Sequence, residues 1–204
     1  MADSVVHGNA PALLLHLRPA LELDQAQFAA LARQNPELRL ERTAEGDVLI
    51  MAPTGGETGR RNAGVTAQLW AWAMADGTGV AFDSSTGFVL PNGAIRSPDA
   101  AWVPSARLRA LTAEQRERFL PLCPDFVVEL RSPSDALSAT RAKLAEYLAN
   151  GARLGWLLDL PARRVEIYRP GIPVTMLESP ARLAGDPEHP DFELDLRPIW
   201  DPLF

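Results

Sequence analysis

The chain has 204 residues, of which 47% are hydrophobic and 23% are charged, a balance typical of a globular domain with a buried core. Its apolar stretches fall far short of the roughly 20 residues that cross a bilayer, and no basic region precedes the short apolar run at 13–15. We therefore expect a cytoplasmic protein with neither a membrane span nor a secretory signal. A net charge of −6 argues against coating nucleic acid by bulk electrostatics, and the lone cysteine, Cys123, excludes an internal disulfide or a multi-cysteine zinc site.

The beginning of the chain predicts a helix followed by a β-hairpin. Asp24 is a helix-capping residue with apolar residues at helical spacing after it, and Asn35-Pro36 should end that helix. Apolar and polar residues then alternate over 38–41, and an apolar strand covers 48–51 after a turn-like segment. We expect these two strands to pair.

The middle of the chain predicts a long helix followed by several strands. Apolar residues recur at three- and four-residue intervals between Glu57 and about Ala75, which is typical of an amphipathic helix. Thr112 should cap a short surface helix that runs to Leu120. The intervening sequence favours an antiparallel meander, with strand-like segments at 80–82, 87–90, 95 and 100–103.

The most regular part of the sequence predicts a βαβ unit. Nearly all-apolar strands at 126–130 and 155–160 flank a helix at about 135–148, as expected when both faces of a parallel pair are covered. A further strand is expected at 164–168. We treat 1–204 as one domain, with a loose segment at 1–20 and an extension at 170–204 whose elements the pattern does not assign.

Two acidic residues occur where a metal site would need them. Asp99 stands at the start of one predicted strand and Glu129 lies inside another, so the two carboxylates converge on one cation if these strands are neighbours. A carboxylate inside an apolar strand is also costly to bury without a partner. Spacing alone leaves a plainer interpretation open, in which Glu129 pairs with an arginine and Asp99 caps a turn.

These residues belong to a series of motifs that resembles the PD-(D/E)XK nuclease superfamily. More closely, the series is similar to a large bacterial family of restriction-endonuclease-like proteins that is abundant in cyanobacteria, over about residues 23–168. The matching segments are Leu40–Arg42, Ala52–Glu57, Ser97–Asp99, Pro124–Asp135, Lys143–Leu148, Trp156–Asp159 and Arg164–Tyr168.

The resemblance implies an α/β fold with a mixed β-sheet and an αβββαβ core flanked by helices. It also implies that Asp99 and Glu129 hold Mg²⁺ or Mn²⁺, which activates water and offsets charge on a phosphodiester. The implied activity is Mg²⁺-dependent endonucleolytic cleavage, with DNA favoured over RNA. The alternative is a catalytically inactive binding or assembly protein that retains the fold.

One position departs from the superfamily pattern. Arg131 stands two residues after Glu129, where lysine is expected, and arginine can hold a phosphate oxygen but cannot act as a base. Lys143, the only lysine in the chain, is the other candidate for the lysine role. Two plainer interpretations stay open: Arg131 pairs with Glu129, and Lys143 is solvated or paired with Glu146.

Two further acids are candidates for the site. Glu57 opens the long helix, where it assists at the metal or only caps the positive helix end. Glu41, on the strand before that helix, ranks last because such a residue is more often at the surface. The side chains of Ser132, Ser134 and Asp135 are expected to cap the helix that carries Lys143.

Other functional signals are weak. The three histidines, His7, His16 and His189, lack the spacing of a helical metal site, and no Gly-rich nucleotide loop or serine-hydrolase elbow is found. The five tryptophans are expected in the core or an interface rather than as stacking platforms for bases, and Arg60 and Arg61 on a solvated face rather than against a nucleic-acid backbone. The hairpins and aromatic residues also suggest a homodimer, since enzymes that cut both strands often need two sites.

Overall fold

The computed structural model of the protein describes residues 12–201. The first part of the segment predicted to be loose at 1–20, including His7, lies outside the described residues. Within 12–201, every helix is too short or too polar to traverse a lipid bilayer.

The described residues form six helices. They are α1 (Gln25–Gln34), α2 (Gly56–Asp76), α3 (Ser105–Arg109), α4 (Ala113–Arg116), α5 (Leu137–Ala149) and α6 (Arg197–Trp200). The predicted start of α1 is confirmed, because the Asp24 carboxylate accepts a hydrogen bond from Gln27 N while the Gln27 side chain accepts one from Asp24 N.

The strands of the described residues form three sheets. They are β1 (Leu13–Leu15), β2 (Arg39–Arg42), β3 (Val48–Met51), β4 (Gly79–Asp83), β5 (Phe88–Val89), β6 (Ile95–Arg96), β7 (Ala100–Pro104), β8 (Phe126–Arg131), β9 (Leu154–Asp159), β10 (Arg164–Arg169), β11 (Ile172–Glu178), β12 (Arg182–Ala184) and β13 (Glu193–Asp195). A six-stranded sheet has the order β11-β10-β9-β8-β7-β4, a five-stranded sheet has the order β1-β3-β2-β6-β5, and β12 pairs with β13.

The six-stranded sheet contains the core implied by the resemblance. In chain order, α2, β4, β7, β8, α5 and β9 form the αβββαβ arrangement. Strands β8 and β9 are parallel and the other pairs of this sheet are antiparallel, so the sheet is mixed. Both β8 and β9 are buried almost throughout, which confirms the predicted βαβ unit.

Helices cover both faces of this sheet. Helix α2 packs on one face through Val65, Leu69 and Ala73, and α5 packs on the other through Leu144 and Tyr147. Gly155 of β9 lets α5 come close, because a Cβ there would lie 2.6 Å from Leu144 Cδ1. This close packing positions the helix that carries Lys143.

The predicted meander is wrong. Strand β4 pairs with β7, whereas β5 and β6 pair with each other and join the five-stranded sheet through Arg42 and Ile95. The chain leaves the larger sheet because Ile95 is buried in a separate small core with Phe28 of α1 and Val48 of β3. Burying this apolar group stabilises the fold more than continuing a local meander would.

Helix α4 begins as predicted after Thr112 but ends at Arg116 rather than at Leu120. Leu120 instead makes backbone hydrogen bonds beside β5, where its N–H donates to Gly87 O and its carbonyl accepts from Val89 N. These bonds require extended backbone, so the helix cannot reach Leu120.

The carboxyl-terminal segment completes the core on the α2 face. Leu183, Leu194, Leu196 and Ile199 are buried there beside the residues of α2. Arg60 and Arg61 are not on a solvated face, because Arg60 donates to Pro198 O and Asp201 O and Arg61 donates to Ile199 O. The two arginines therefore attach the end of the chain to α2.

Candidate active site

Asp99 and Glu129 occupy facing positions on neighbouring strands. Strands β7 and β8 pair with Ala100 opposite Val128, and extending this register by one residue places Asp99 opposite Glu129. Directly opposed residues of an antiparallel pair share one face of the sheet. The condition for a shared cation, that the two strands are neighbours, is therefore met.

The Asp99 carboxylate is fixed by one hydrogen bond to each oxygen. Oδ2 accepts from the backbone N–H of Leu130 at 2.8 Å, and Oδ1 accepts from Asn62 Nδ2 of α2 at 2.9 Å. Burial raises the pKa of Asp99 above its ordinary value, and the nearby charge of Lys143 opposes this effect. Both partners are distant in the sequence, so Asp99 does not act as the cap of a local turn.

Glu129 is buried beside the amine of Lys143. Its Oε1 accepts from Lys143 Nζ at 2.8 Å and from the hydroxyl of Tyr147 at 3.2 Å. Burial raises the pKa of Glu129 to about 8, and the negative charges of Asp99 and Glu41 add to the rise. The charge of Lys143 opposes this rise and compensates only part of it.

Lys143 projects from α5 between two carboxylates. Its Nζ lies 2.8 Å from Glu129 Oε1, 2.9 Å from Glu41 Oε1 and 3.3 Å from the carbonyl oxygen of Ser97. These charges raise the pKa of Lys143 against the opposing effect of burial, so the amine stays protonated. The plainer interpretation of a lysine that is solvated or paired with Glu146 is wrong.

Glu41, ranked last from the sequence, is a central member of the site. It is fully buried, its Oε1 accepts from Ser97 N at 2.9 Å, and its Oε2 accepts from Arg96 Nη1 at 3.1 Å. Burial acts to raise the pKa of Glu41, but Lys143 and Arg96 outweigh it and the pKa is lowered. Glu41 is therefore an ionised partner that holds Lys143 and Arg96 in place.

Arg96 extends the network to the last turn of α5. Its Nε donates to Glu146 Oε2 at 2.6 Å, and Asn92 Nδ2 donates to Glu146 Oε1 at 2.9 Å. We call the linked residues the charge cluster; they are Glu41, Arg96, Asp99, Glu129, Lys143 and Glu146. With every member ionised, the charge cluster carries two more negative than positive charges.

The donor set of the charge cluster fits a small divalent cation. Asp99 and Glu129 would supply oxygen ligands on one face of the sheet, and one such cation would offset the excess negative charge. Within residues 12–201, no group of three or more His, Cys, Asp or Glu side chains is arranged to hold an ion. Two carboxylates would leave the remaining positions of a bound Mg²⁺ to water and substrate, which that ion commonly accepts.

The other two predicted site residues have different neighbours. Arg131 Nη1 donates to Asp159 Oδ1 of the adjacent strand at 2.7 Å, and its Nε donates to Asp135 O at 3.0 Å, so it does not pair with Glu129. Glu57 contacts Arg60 and Arg61 in the first turns of α2.

The turn before α5 does not cap that helix through its side chains. Asp135 Oδ2 accepts from the backbone N–H and the hydroxyl of Ser132, and the Ser134 hydroxyl also bonds to that of Ser132. The residue at the N-cap is Ala136, which offers no side-chain hydrogen bond. The expected capping role is wrong, because these side chains bind one another within the turn.

A comparison with protein-family models matches residues 25–197 to Uma2, a family described as "putative restriction endonuclease". The chain belongs to the Uma2 family. The match covers β2, β7, β8 and α5, which carry most of the charge cluster, and the resemblance seen in the sequence is thus confirmed.

A solved structure supports the same fold for this Uma2 chain. The chain is similar to the crystal structure of "a putative nuclease belonging to DUF820" from Anabaena variabilis, with a TM-score of 0.66 and 17% identity. The similarity covers 79% of this chain and 89% of the other. The comparison with curated proteins finds no match.

Several members of the site were not predicted from the sequence, although weak signals exist for them. Tyr147 follows Lys143 by four residues and so shares its helix face. Arg96 directly precedes the Ser97-Pro98-Asp99 motif. Asn62 lies inside α2 with no local signal, since its role depends on the packing of α2 against β7.

Proposed function

We propose that this chain is a divalent-cation-dependent endonuclease that hydrolyses phosphodiester bonds in DNA. The observation that carries the proposal is the opposition of Asp99 and Glu129 on neighbouring strands, with Lys143 Nζ 2.8 Å from Glu129. Two carboxylates and an amine at one end of a mixed sheet match the chemistry that phosphodiester hydrolysis needs. Membership of the Uma2 family supports the same reaction class.

In this proposal Asp99 and Glu129 bind Mg²⁺ or Mn²⁺. When bound, the ion supplies a Lewis acid that activates water and offsets the charge on the phosphodiester. The bonds from Leu130 N and Asn62 Nδ2 orient the Asp99 carboxylate before substrate arrives. Because the carboxylate is already oriented, less free energy is needed to rearrange the site during the reaction.

We assign the lysine role to Lys143 rather than to Arg131. The amine of Lys143 is held between Glu41 and Glu129, where it would donate to the attacking water or to a phosphate oxygen in place of its 3.3 Å bond to Ser97 O. Arg131 is engaged by Asp159 and Asp135, which supports a structural role for it. The assistance expected from Glu57 stays a prediction.

The second candidate function is a nuclease-fold protein that binds without cleaving. The departure from the superfamily pattern at Arg131 and the net charge of −6 favour it. The position of Lys143 weakens the first of these arguments, because an amine reaches Glu129 from α5 instead of from β8.

Cleavage of plasmid and oligonucleotide DNA with Mg²⁺ or Mn²⁺ tests the proposal. Asp99→Ala and Glu129→Ala should each reduce cleavage by on the order of 1,000-fold, and Lys143→Ala by on the order of 100-fold. The matched control is Glu166→Gln, since Glu166 is a buried carboxylate in the same cross-strand row as Glu129 but pairs with Arg141. Wild-type protein that neither cuts nor binds the ion supports the non-catalytic alternative.

We also propose that the protein acts as a homodimer. Ile172, Val174 and Met176 alternate along the edge strand β11 and are exposed, although they are apolar. An exposed apolar row at a sheet edge favours association with a second copy. Sedimentation velocity should give a dimer that Met176→Lys converts to a monomer; a monomeric wild type at micromolar concentration contradicts this.

A further inference from the structure

A cavity of about 470 Å³ lies beside the charge cluster along helix α2. Gly59, Ala63 and Ala67 form a row of small residues on its α2 side, and Asp83 and Ser84 at the end of β4 also line it. Asn62 lines the cavity and at the same time donates to Asp99 Oδ1. The cavity and the proposed metal ligands are thus separated by a single side chain.

The chemistry of the lining selects the kind of ligand. Among the described residues, no lysine or arginine lines this cavity, so a phosphate group would find no counter-charge inside it. The lining instead offers the hydroxyls of Thr54, Thr66 and Ser84 and the Asp83 carboxylate. Such groups suit a neutral ligand that carries both hydrogen-bond donors and acceptors.

Trp70 provides a flat apolar surface at the far end of the cavity. Its side chain is 56% exposed although it belongs to a helix whose other face is in the core. Asn62, Thr66 and Trp70 follow one another at four-residue intervals, so they lie along one side of α2. Eight residues of helix span about 12 Å, which is roughly the length of three stacked nucleotides.

Arg39 lies beside the cavity and near Asp99. Its Nη2 donates to Ser84 O at 3.3 Å at the cavity wall, and its positive charge also acts on Asp99. Within residues 12–201, Arg39 forms no ion pair with a carboxylate. A backbone phosphate that joins the cavity to the scissile position would meet this guanidinium.

We propose that the cavity binds a nucleobase of the substrate strand, stacked on Trp70, about three nucleotides from the phosphate that is cleaved. Arg39 contacts a phosphate between this base and the scissile position, and Asp83 bonds to the edge of the base. The ligand class is therefore an unpaired base of a single-stranded or locally opened nucleic acid. This inference rests on the proposed function.

The binding of a 5′-fluorescein-labelled single-stranded DNA 12-mer, measured by anisotropy with Ca²⁺ in place of Mg²⁺, tests the proposal. Trp70→Ala should weaken binding by roughly 5- to 150-fold, the range expected for one base stacked on an aromatic ring. Trp70→Phe should retain affinity within about threefold, because it keeps the stacking surface. Met74→Ala is the matched control, since Met74 is one turn further along α2, 65% exposed and outside the cavity.

An abasic series separates stacking from a general loss of binding. Moving one abasic site along the 12-mer should identify a position that weakens binding to the wild type but not to Trp70→Ala. Equal binding by wild type and Trp70→Ala, with Mg²⁺-dependent cleavage intact, overturns the base pocket and leaves the proposed nuclease standing. A wild type that neither binds nor cuts overturns both.

Discussion

Glu129 combines burial, a raised pKa and a single amine partner. Its Oε1 is occupied by Lys143 and Tyr147, yet the charge cluster still carries excess negative charge. A buried carboxylate in this state costs folding free energy, and active sites often retain such groups for their chemistry. At the residue scale, the burial of Glu129 should lower the free energy of unfolding by a measurable amount.

Replacing Glu129 by Gln should therefore stabilise the metal-free protein while abolishing cleavage. The neutral amide keeps an oxygen for Lys143 and Tyr147 but removes the repulsion from Asp99 and Glu41. We expect a gain of about 1–2 kcal/mol at pH 8, measured by urea denaturation with EDTA. A destabilised Glu129→Gln variant would show that the Glu129–Lys143 ion pair outweighs this repulsion.

His189 gives the protein a specific sensitivity to acid. Its ring is buried among Trp72, Trp102 and Phe126, and neither ring nitrogen has a hydrogen-bond partner among the described residues. Burial lowers the pKa of His189 to about 4. The unfolded chain, with a histidine pKa near 6.5, then binds more protons than the folded chain between about pH 6.5 and 4.

Stability should accordingly be lost as the pH falls through this window, by about 2–3 kcal/mol from this one group. The His189→Leu variant should lack this part of the loss, whereas His16→Leu, which removes a solvent-exposed histidine, should retain it. Urea denaturation at pH 7.5, 6 and 4.5 measures the difference. Parallel profiles for His189→Leu and the wild type contradict a neutral buried imidazole.

At the residue scale, sequence motifs predicted Asp99, Glu129 and Lys143 as candidates, because each carries a chemical signal in its local context. Glu41 was ranked last. Apolar and polar residues alternate over 38–41, and a glutamate at a polar position of such a strand is usually at the surface. Glu41 can be buried because it pairs with Arg96 and Lys143, which are distant in the sequence. Such long-range pairing is not visible in a local pattern.

The packing of α5 on β9 determines whether Lys143 reaches Glu129. Gly155 provides the space, and Leu144, next to Lys143 in α5, fills it. At the scale of elements, the site therefore depends on the distance between one helix and one strand. A change in this distance should alter both folding and the position of the amine.

Gly155→Ala should destabilise the protein by about 1–3 kcal/mol and reduce cleavage, because the new Cβ overlaps the buried Leu144 side chain. Gly56→Ala is the control, since a Cβ at Gly56 meets no other atom within 4 Å. Thermal unfolding and the rate of DNA cleavage measure the two effects. Unchanged values for Gly155→Ala contradict the proposed close packing.

Elements with strong local signals were predictable from the sequence. The Asp24 cap of α1, the apolar periodicity of α2 and the apolar strands β8 and β9 all appear where the pattern places them. The partner choice of β5 and β6 was not predictable, because Ile95 joins a core built from Phe28 and Val48 far earlier in the chain. The same holds for Leu120, whose partners are in and beside β5.

At the scale of the whole molecule, the carboxyl-terminal segment is part of the core. Leu194, Leu196 and Ile199 are almost fully buried, and the Trp200 indole donates to Pro180 O at 2.7 Å. The sequence assigned no elements to this region, since its short strands and prolines lack a clear period. The buried positions show that α2 needs this segment to cover its apolar face.

A chain truncated after Glu178 should therefore fail to fold, although it retains the whole charge cluster. Removing the segment exposes apolar surface of α2 and of the six-stranded sheet, and it leaves Arg60 and Arg61 without their carbonyl partners. Circular dichroism and thermal unfolding of the truncated chain, beside the full chain, measure this. A truncated protein that folds cooperatively and remains active would show that the core does not need this segment.

The most direct test of the central claim is a crystal structure of the protein grown with Mn²⁺, with anomalous diffraction data. We expect an anomalous peak in contact with carboxylate oxygens of Asp99 and Glu129, absent from crystals of the Glu129→Gln variant. A peak elsewhere, or well-ordered Asp99 and Glu129 side chains without an ion at millimolar Mn²⁺, would contradict it.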